Sequence, residues 1–255
     1  MQFDVITIFP EIIEAPLTRT ILRRAIDHGL LTVRLHALRD FADPPHRRVD
    51  DQPYGGGGGM LLKPEPIFRA VEHVRTAHPV AASRTILMSP QGRPLRHREA
   101  VRLSLFGRLI LICGRYEGVD QRVRESLVDE EISIGDYVLT GGELAAMVLI
   151  DAVARLVPGV VGAGESVLRD SFVNGMLQYP QYTRPAVYDG LEVPGVLRSG
   201  RHDEIEAWRQ EKSEDATRRL RPDLVAQEPG RRRPDAGRGE NTEKDDNEPQ
   251  VLEEP

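Results

Sequence analysis

The sequence has one cysteine, few lysines and no long apolar run. Cys113 is the single cysteine among 255 residues, which excludes an internal disulfide and a cysteine-cluster zinc site. No apolar stretch reaches the roughly 18 residues that span a bilayer. The acidic segment 1–14 also lacks the pattern of a signal peptide. We therefore expect no membrane partner and a reducing, cytoplasmic location.

Lysine is scarce because the basic charge is carried almost wholly by arginine. Of 34 basic residues only three are lysines, and the net charge of −6 argues against a uniform nucleic-acid-binding surface. The acidic segment 227–255 holds nine acids and five bases, so 1–226 has a net charge of only −2. Its arginines cluster at 23–24, 47–48, 93–98 and 218–221. Such clusters can contact phosphate, although base composition of the genome is an alternative reason for their number.

Apolar patterning predicts strands that alternate with helices, which is typical of a parallel α/β sheet. Strands are predicted at 4–9, 31–36, 84–89 and 108–113, with a long aperiodic loop at 37–59. Helices are predicted at 18–28, 64–77, 97–106, 120–128, 143–157 and 202–220. The Gly- and Pro-rich stretch 158–200 is predicted to contain no regular structure.

Three glycine-containing segments follow predicted strands or precede the apolar helix, at 89–92, 114–118 and 132–142. Ligands of open α/β sheets bind beyond the carboxyl ends of strands, where glycine lets the backbone approach them. The glycine spacing matches neither a dinucleotide nor a nucleoside-triphosphate cradle. The segments therefore predict a backbone-lined pocket suited to an adenosine-type ligand without phosphates, with ordinary turns as the alternative.

The predicted helix 143–157 is apolar except for Asp151 and Arg155 between Leu144 and Val157, which favours a buried helix. Charges are rarely buried without partners. The i, i+4 spacing allows Asp151 and Arg155 to pair with each other. The alternative is that Arg155 points into a site and binds an anionic or carbonyl oxygen.

Several motifs in this order closely resemble the bacterial tRNA (guanine-N1)-methyltransferase family, TrmD, of the SPOUT class. The resemblance covers about 1–221, and its motifs lie at 8–11, 48–57, 87–93, 112–120, 134–139, 141–144, 170–172 and 182–185. Ala145, Gly58 and Gln181 stand where the family has proline, proline and histidine. These departures affect fine substrate contacts rather than the reaction.

The resemblance implies a deep trefoil knot, a homodimer and S-adenosylmethionine as cofactor. The implied substrate is the anticodon stem-loop of tRNA, methylated at N1 of guanine 37, just 3′ of the anticodon. The implied cofactor-binding residues are Leu87, Ser89, Pro90, Gly114, Tyr116, Gly118, Ile134, Gly135, Asp136, Tyr137, Val138, Leu139, Gly141 and Gly142.

The implied catalytic residues are Asp170 as general base and Arg155 as the group that stabilises O6 of guanine. Glu117 is a further carboxylate that contacts the base or a Mg²⁺ ion, without a dedicated metal cage. The implied RNA contacts are Asp50, Tyr54, Gly59 and Ser171. The rival interpretations are a non-catalytic RNA-binding module and a methyltransferase for rRNA or protein. Asp170 and Arg155 argue against the first rival, and the segment 50–59 argues against the second.

The expected architecture is an α/β parallel sheet with a SPOUT-type knot plus a small helical C-terminal domain. We expect a knotted catalytic domain at 1–160 and a flexible linker or lid at 161–200. A small helical tRNA-binding domain follows at 201–226. The tail at 227–255 contains too few apolar residues to bury and is predicted to be disordered.

Overall fold

A computed structural model describes residues 1–162 and 169–226. The predicted disordered tail at 227–255 therefore lies outside the described residues. The chain divides into two compact units, Met1–Asn174 and Gly175–Pro255. Within the described residues, no helix is both long enough and apolar enough to cross a membrane.

The first unit is built on a five-stranded parallel sheet, as the sequence predicts. Its strands are β1 (Gln2–Thr7), β2 (Thr32–Ala37), β5 (Ser83–Pro94), β6 (Arg108–Cys113) and β7 (Glu130–Ser133), in the order β2-β1-β6-β5-β7. Two short antiparallel strands, β3 (Asp50–Asp51) and β4 (Leu61–Leu62), pair outside this sheet. β6 is buried along its whole length because it lies in the centre of the sheet with strands on both sides.

Among residues 1–162 and 169–174, the first unit contains six α-helices. They are α1 (Glu11–Leu17), α2 (Thr20–Asp27), α3 (Pro64–Ala77), α4 (His97–Ser104), α5 (Gln121–Ser126) and α6 (Glu143–Ala154). Successive side chains of a strand point to opposite faces of the sheet, so the sheet contributes to two apolar clusters, one on each face. One cluster packs Phe3 and Leu111 with α6, and the other packs Ile6 and Ile112 with α3.

The structure corrects several predicted boundaries. The first strand ends at Thr7 rather than at residue 9, and α6 ends at Ala154 rather than at 157. The strand predicted at 84–89 continues to Pro94 because its pairing with β7 resumes at Arg93 after a register shift. β7, whose first two residues are acidic, was not predicted from the sequence.

The second unit contains α7 (His202–Leu220) and α8 (Pro222–Ala226), so the predicted helix at 202–220 is confirmed. The prediction of no regular structure at 158–200 is wrong. A hairpin of β8 (Val187–Tyr188) and β9 (Leu191–Glu192) and a short 3₁₀ helix lie there. The division between the two units at Asn174 falls inside the predicted linker, whose limits at 161 and 200 remain predictions.

Candidate functional site

The carboxyl ends of the adjacent strands β6, β5 and β7 surround one cavity of about 250 Å³. All the predicted cofactor-binding residues line it, except Asp136. They are Leu87, Ser89, Pro90, Gly114, Tyr116, Gly118, Ile134, Gly135, Tyr137, Val138, Leu139, Gly141 and Gly142. The structure therefore brings together three segments that are far apart in the sequence, while their role toward a cofactor stays a prediction.

The cavity is also lined by Met88, Gln91, Arg115, Ile132, Ser133 and Thr140, which lie within the segments predicted to form it. Val119, Arg124 and Ala145 line it too, and sequence reasoning did not assign these three to it. Arg124 reaches the cavity from α5 and donates to Glu131 and Gln91 at 2.7 Å each. Nothing local in the sequence marks Arg124, because its position depends on how α5 packs beside the ends of the strands.

Glycine is required in the wall of the cavity for steric reasons. A side chain on Gly142 would place Cβ 2.8 Å from Cα of Cys113, which is backbone and cannot rotate away. Gly135 has a φ of 152°, and a Cβ there would collide with the ring of Tyr137. The close approach also lets the amide of Gly142 donate to the carbonyl of Gly114 at 2.8 Å, which joins two walls of the cavity.

The segment 50–62 is joined to the 114–118 loop by backbone pairing. The amide of Glu117 donates to the carbonyl of Met60, and the amide of Leu62 donates to the carbonyl of Gly118, both at 3.0 Å. A Cβ on Gly59 would lie 2.6 Å from Oε1 of Glu117, so only glycine fits against that carboxylate. The predicted RNA contact Gly59 and the predicted catalytic Glu117 therefore lie together at the edge of the cavity.

The other predicted RNA contacts of this segment take different positions. Asp50 is partly buried in β3, where it pairs with Leu62. Tyr54 is fully exposed beside a run of glycines, several of them with positive φ. A fully exposed aromatic ring on a glycine-rich loop is available for stacking on a base.

Arg155 and Asp170, the predicted catalytic pair, are in direct contact. Nη2 of Arg155 donates to Oδ2 of Asp170 at 2.6 Å, and their side chains are 48% and 30% exposed. This contact excludes the interpretation in which Arg155 has Asp151 as its ion-pair partner within α6. Ser171, predicted to contact RNA, follows directly in the chain. Within the described residues, neither member of the pair belongs to the lining of the cavity.

The prediction that the apolar helix is buried holds for only part of α6. Leu149, Ile150 and Val153 are fully buried, but Leu144 is 55% and Val148 is 48% exposed. These two residues are four apart and so lie on one face of the helix. The part of the chain that the structure describes leaves these two side chains about half exposed next to the cavity wall at 141–145.

Behind the cavity, burial raises the pKa of the Cys113 thiol well above its usual value, and the negative charge of Glu143 adds to this effect. The thiol is therefore neutral and has no nucleophilic character in the folded protein. Among residues 1–162 and 169–226, no three His, Cys, Asp or Glu side chains group closely enough to hold a metal ion.

A parallel α/β sheet with a glycine-containing cavity at its carboxyl edge is typical of proteins that bind a small molecule there. Comparison with known sequences identifies the family of this chain. The model of the family described as tRNA (Guanine-1)-methyltransferase TrmD matches residues 1–227. The chain therefore belongs to this family.

Curated relatives agree over nearly the whole chain. A tRNA (guanine-N(1)-)-methyltransferase of Geotalea uraniireducens is 56% identical over 225 residues, which is 88% of this chain and 90% of the relative. The protein of the same name from Geobacter sulfurreducens is 53% identical, with 88% and 91% covered. That of Dehalococcoides mccartyi is 54% identical, with 90% and 92% covered.

Proposed function

We propose that this protein is a cytoplasmic tRNA (guanine(37)-N1)-methyltransferase that takes its methyl group from S-adenosylmethionine. The family membership supports the methyltransferase activity on tRNA. The observation that carries the mechanism is the contact between Arg155 and Asp170 at 2.6 Å. A base and a cation side by side can accept the proton from N1 of guanine and stabilise the negative charge that grows on O6.

The cavity fits S-adenosylmethionine. Five glycines are among its lining residues, and Gly135 and Gly142 pack so closely against Tyr137 and Cys113 that a Cβ would displace the wall. The segments 87–90, 114–118 and 134–142 would hold the adenosine and methionine parts. When bound, S-adenosylmethionine supplies an electrophilic methyl group whose bonding pair stays on sulfur, so no redox centre is required.

Asp170 and Arg155 would carry out the proton chemistry. N1 of guanine carries a proton and has no free lone pair in the plane of the base, so methylation requires that this proton leave. The carboxylate of Asp170 accepts the proton from N1, which is general base catalysis. Negative charge then grows on O6, where the guanidinium of Arg155 stabilises it.

The RNA substrate would approach along the 50–62 segment. The guanine must leave its stack to reach the cavity, and an anticodon loop makes this less costly than a duplex does. Tyr54 is placed to stack on a base, and Asp50 and Ser171 would hydrogen-bond to the nucleotide. The arginine clusters at 47–48 and 218–221 would contact phosphates of the anticodon stem.

We further propose that the active enzyme is a homodimer with a SPOUT-type trefoil knot. The half-exposed apolar face of Leu144 and Val148 supports a second copy as partner, because it adjoins the cavity wall. The absence of Arg155 and Asp170 from the described lining of the cavity supports a site completed across two subunits. The knot is proposed from the family membership.

Glu117 is our candidate contact for the target base or for a Mg²⁺ ion. Its side chain lines the cavity against Gly59, and Mg²⁺ is commonly bound through only one or two carboxylates. Methylation measured with and without EDTA, and then with Mg²⁺ restored, distinguishes these two roles. Loss with EDTA and recovery with Mg²⁺ assigns Glu117 to the ion if Glu117→Gln removes this dependence.

The decisive experiment is nucleoside analysis of tRNA after incubation with the protein and methyl-labelled S-adenosylmethionine. We expect label in 1-methylguanosine and none in a transcript with adenosine at position 37. Label in another nucleoside, or in a protein acceptor, would contradict the proposal.

A further inference from the structure

Glu143 is a buried carboxylate for which neither the sequence motifs nor the proposed reaction requires a role. It is the first residue of α6 and is 1% exposed. The hydroxyl of Thr7, at the end of β1, donates to Oε1 of Glu143 at 2.7 Å. The same hydroxyl accepts a hydrogen bond from the amide of Phe9 at 3.0 Å. The carboxylate is therefore fixed from the side of the central sheet.

The other side of Glu143 faces the cavity wall. Nε of Arg115 lies 3.5 Å from Oε1 of Glu143, and its guanidinium lies 4.5 Å above the ring of Phe9. Arg115 itself lines the cavity. Its backbone also forms an isolated β-bridge with Gly141 in the neighbouring loop. One buried carboxylate thus connects β1, α6 and two of the loops that form the cavity.

The close packing around Gly141 indicates that this arrangement is tightly specified. A Cβ on Gly141 would collide with Oε2 of Glu143 and lie 2.6 Å from Nε of Arg115. A charge is costly to bury unless partners compensate it, and Glu143 has the Thr7 hydroxyl, the Arg115 guanidinium and the positive end of α6. Loss of any one of these groups leaves the others imperfectly paired.

The carboxylate of Glu130, at the start of β7, provides a contrast. Glu130 accepts from Arg102 at 2.6 Å and from Arg93 at 2.7 Å, and its side chain is 10% exposed. Neither of these arginines lines the cavity. Glu130 is therefore a structural ion-paired carboxylate, whereas the arginine that Glu143 holds is part of the cavity wall.

We propose that Glu143 is a positioning residue for the cofactor cavity, acting through Arg115 and the loop at Gly141 and not by touching the cofactor. This inference rests on the proposed function, because the affected ligand is S-adenosylmethionine. The negative charge, and not only the shape, of the side chain is what orients Arg115.

The test is Glu143→Gln, which keeps the shape and the hydrogen bond from Thr7 but removes the charge. We expect the Kd for S-adenosylmethionine, measured by calorimetry, to rise about tenfold. We expect kcat at saturating cofactor to stay within about twofold of the wild type, because Asp170 and Arg155 are untouched. Glu130→Gln is the matched control, with a lowered melting temperature and an unchanged Kd.

A double-mutant cycle with Arg115→Gln separates positioning from general weakening of the fold. If Glu143 acts through Arg115, then Glu143→Gln changes the Kd less than twofold in the Arg115→Gln background. Fully additive effects would overturn the inference. So would a Glu143→Gln variant that melts lower but binds the cofactor as the wild type does.

Three further outcomes are covered by the same kind of measurement. Should Glu143→Gln fail to fold, Thr7→Val takes its place in the cycle, and an unchanged Kd in Thr7→Val overturns the inference. A wild-type protein that does not bind S-adenosylmethionine overturns both the proposed function and the role of Glu143. A wild type that binds and methylates, beside a Glu143→Gln variant with unchanged Kd, overturns the role of Glu143 alone.

Discussion

The cavity and the Arg155–Asp170 pair are made in different ways. Backbone and glycine at the ends of three neighbouring strands form the cavity, which rests on fully buried residues such as Leu111 and Ile112. The pair consists of two side chains that are 15 residues apart in the sequence and are 48% and 30% exposed. Its members stand at the end of α6 and beyond the segment 163–168.

This difference teaches that binding and chemistry are separable in this molecule. A cavity fixed by sheet packing is preorganised, so its ligand requires little rearrangement of the protein. A half-exposed ion pair contributes little to stability, since solvent screens it and ordering the side chains costs entropy. The proximity of Arg155 and Asp170 is therefore better explained by chemistry than by stability.

The largest expected effect comes from removing the base and leaving the cavity intact. Asp170→Asn keeps the size of the side chain but cannot accept the proton from N1. We expect the single-turnover rate of tRNA methylation to fall about 10²–10⁴-fold, the usual contribution of a general base. The Kd for S-adenosylmethionine, measured by calorimetry, should stay within about twofold.

Asp27→Asn is the control, because Asp27 also forms an exposed ion pair, with Arg23 at 2.7 Å, but on α2. We expect wild-type methylation from this variant. Rapid methyl transfer by Asp170→Asn would contradict the separation of binding and chemistry, and so would loss of cofactor binding.

The same contrast explains what the sequence could and could not predict. The central strand at 108–113 and the helix at 64–77 are confirmed to the residue, since strong apolar patterning sets them locally. Glycine motifs also mark most of the cavity, because backbone geometry constrains residue choice. Arg124 was missed because its place depends on tertiary packing, and β7 was missed because its polar start hides a strand.

The family resemblance implied that Arg155 and Asp170 are the catalytic residues, but their direct contact was not predicted. The residues alone also allowed Arg155 to pair with Asp151, four positions earlier on the same helix. Sequence spacing favours such local pairs, whereas the partner of Arg155 in the structure is Asp170, 15 residues away. A long-range pair of this kind leaves no periodic signal.

The next effect tests the preorganised cavity directly. The backbone at Gly142 has a φ of −78°, which alanine adopts without strain. In Gly142→Ala, however, the Cβ would lie 2.8 Å from Cα of Cys113. Overpacking typically costs about 1–3 kcal/mol, which corresponds to a loss of cofactor affinity of about 5- to 150-fold. Calorimetric titration with S-adenosylmethionine measures this loss.

Gly195→Ala is the matched control, because its Cβ would meet no atom within 4 Å. We expect its Kd to equal that of the wild type. Wild-type affinity in Gly142→Ala would show that the cavity wall yields, and the idea of a rigid, preorganised cavity would then be wrong.

A smaller, fourfold effect tests whether the cavity and the pair of one active site belong to different subunits. Gly135→Trp fills the cavity and Asp170→Ala removes the base, so each variant alone should be inactive. About half of the dimers in a randomly mixed population are heterodimers. In each heterodimer one site carries both defects and the other carries neither. Active sites should therefore recover to about a quarter of the wild-type number.

The mixed population is obtained by co-refolding the two variants with different affinity tags, and active sites are titrated with tRNA. Sequential purification on both tags confirms that heterodimers form. Confirmed heterodimers without recovered activity would show that Gly135 and Asp170 of one active site belong to the same subunit. The cavity and the catalytic pair of one site would then lie in one chain.

The smallest effect concerns the buried side of the cavity, where Cys113 ends β6. Burial raises the pKa of this thiol well above its usual value, with a further contribution from the charge of Glu143. In the unfolded chain the thiol has its ordinary pKa of about 8.5. The folded state thus holds a proton that the unfolded state releases, and the contribution of Cys113 to stability is complete below that pH. It is lost as the pH rises toward the folded-state pKa, by about 1.4 kcal/mol per pH unit for one proton.

The test is urea unfolding of the wild type and of Cys113→Ala at pH 7.5, 9 and 10. We expect the free energy of unfolding to fall less steeply with pH in Cys113→Ala than in the wild type, by this one-proton slope. Parallel curves for the two proteins would mean that the thiol ionises inside the fold, and the wall behind the cavity would then be open to water.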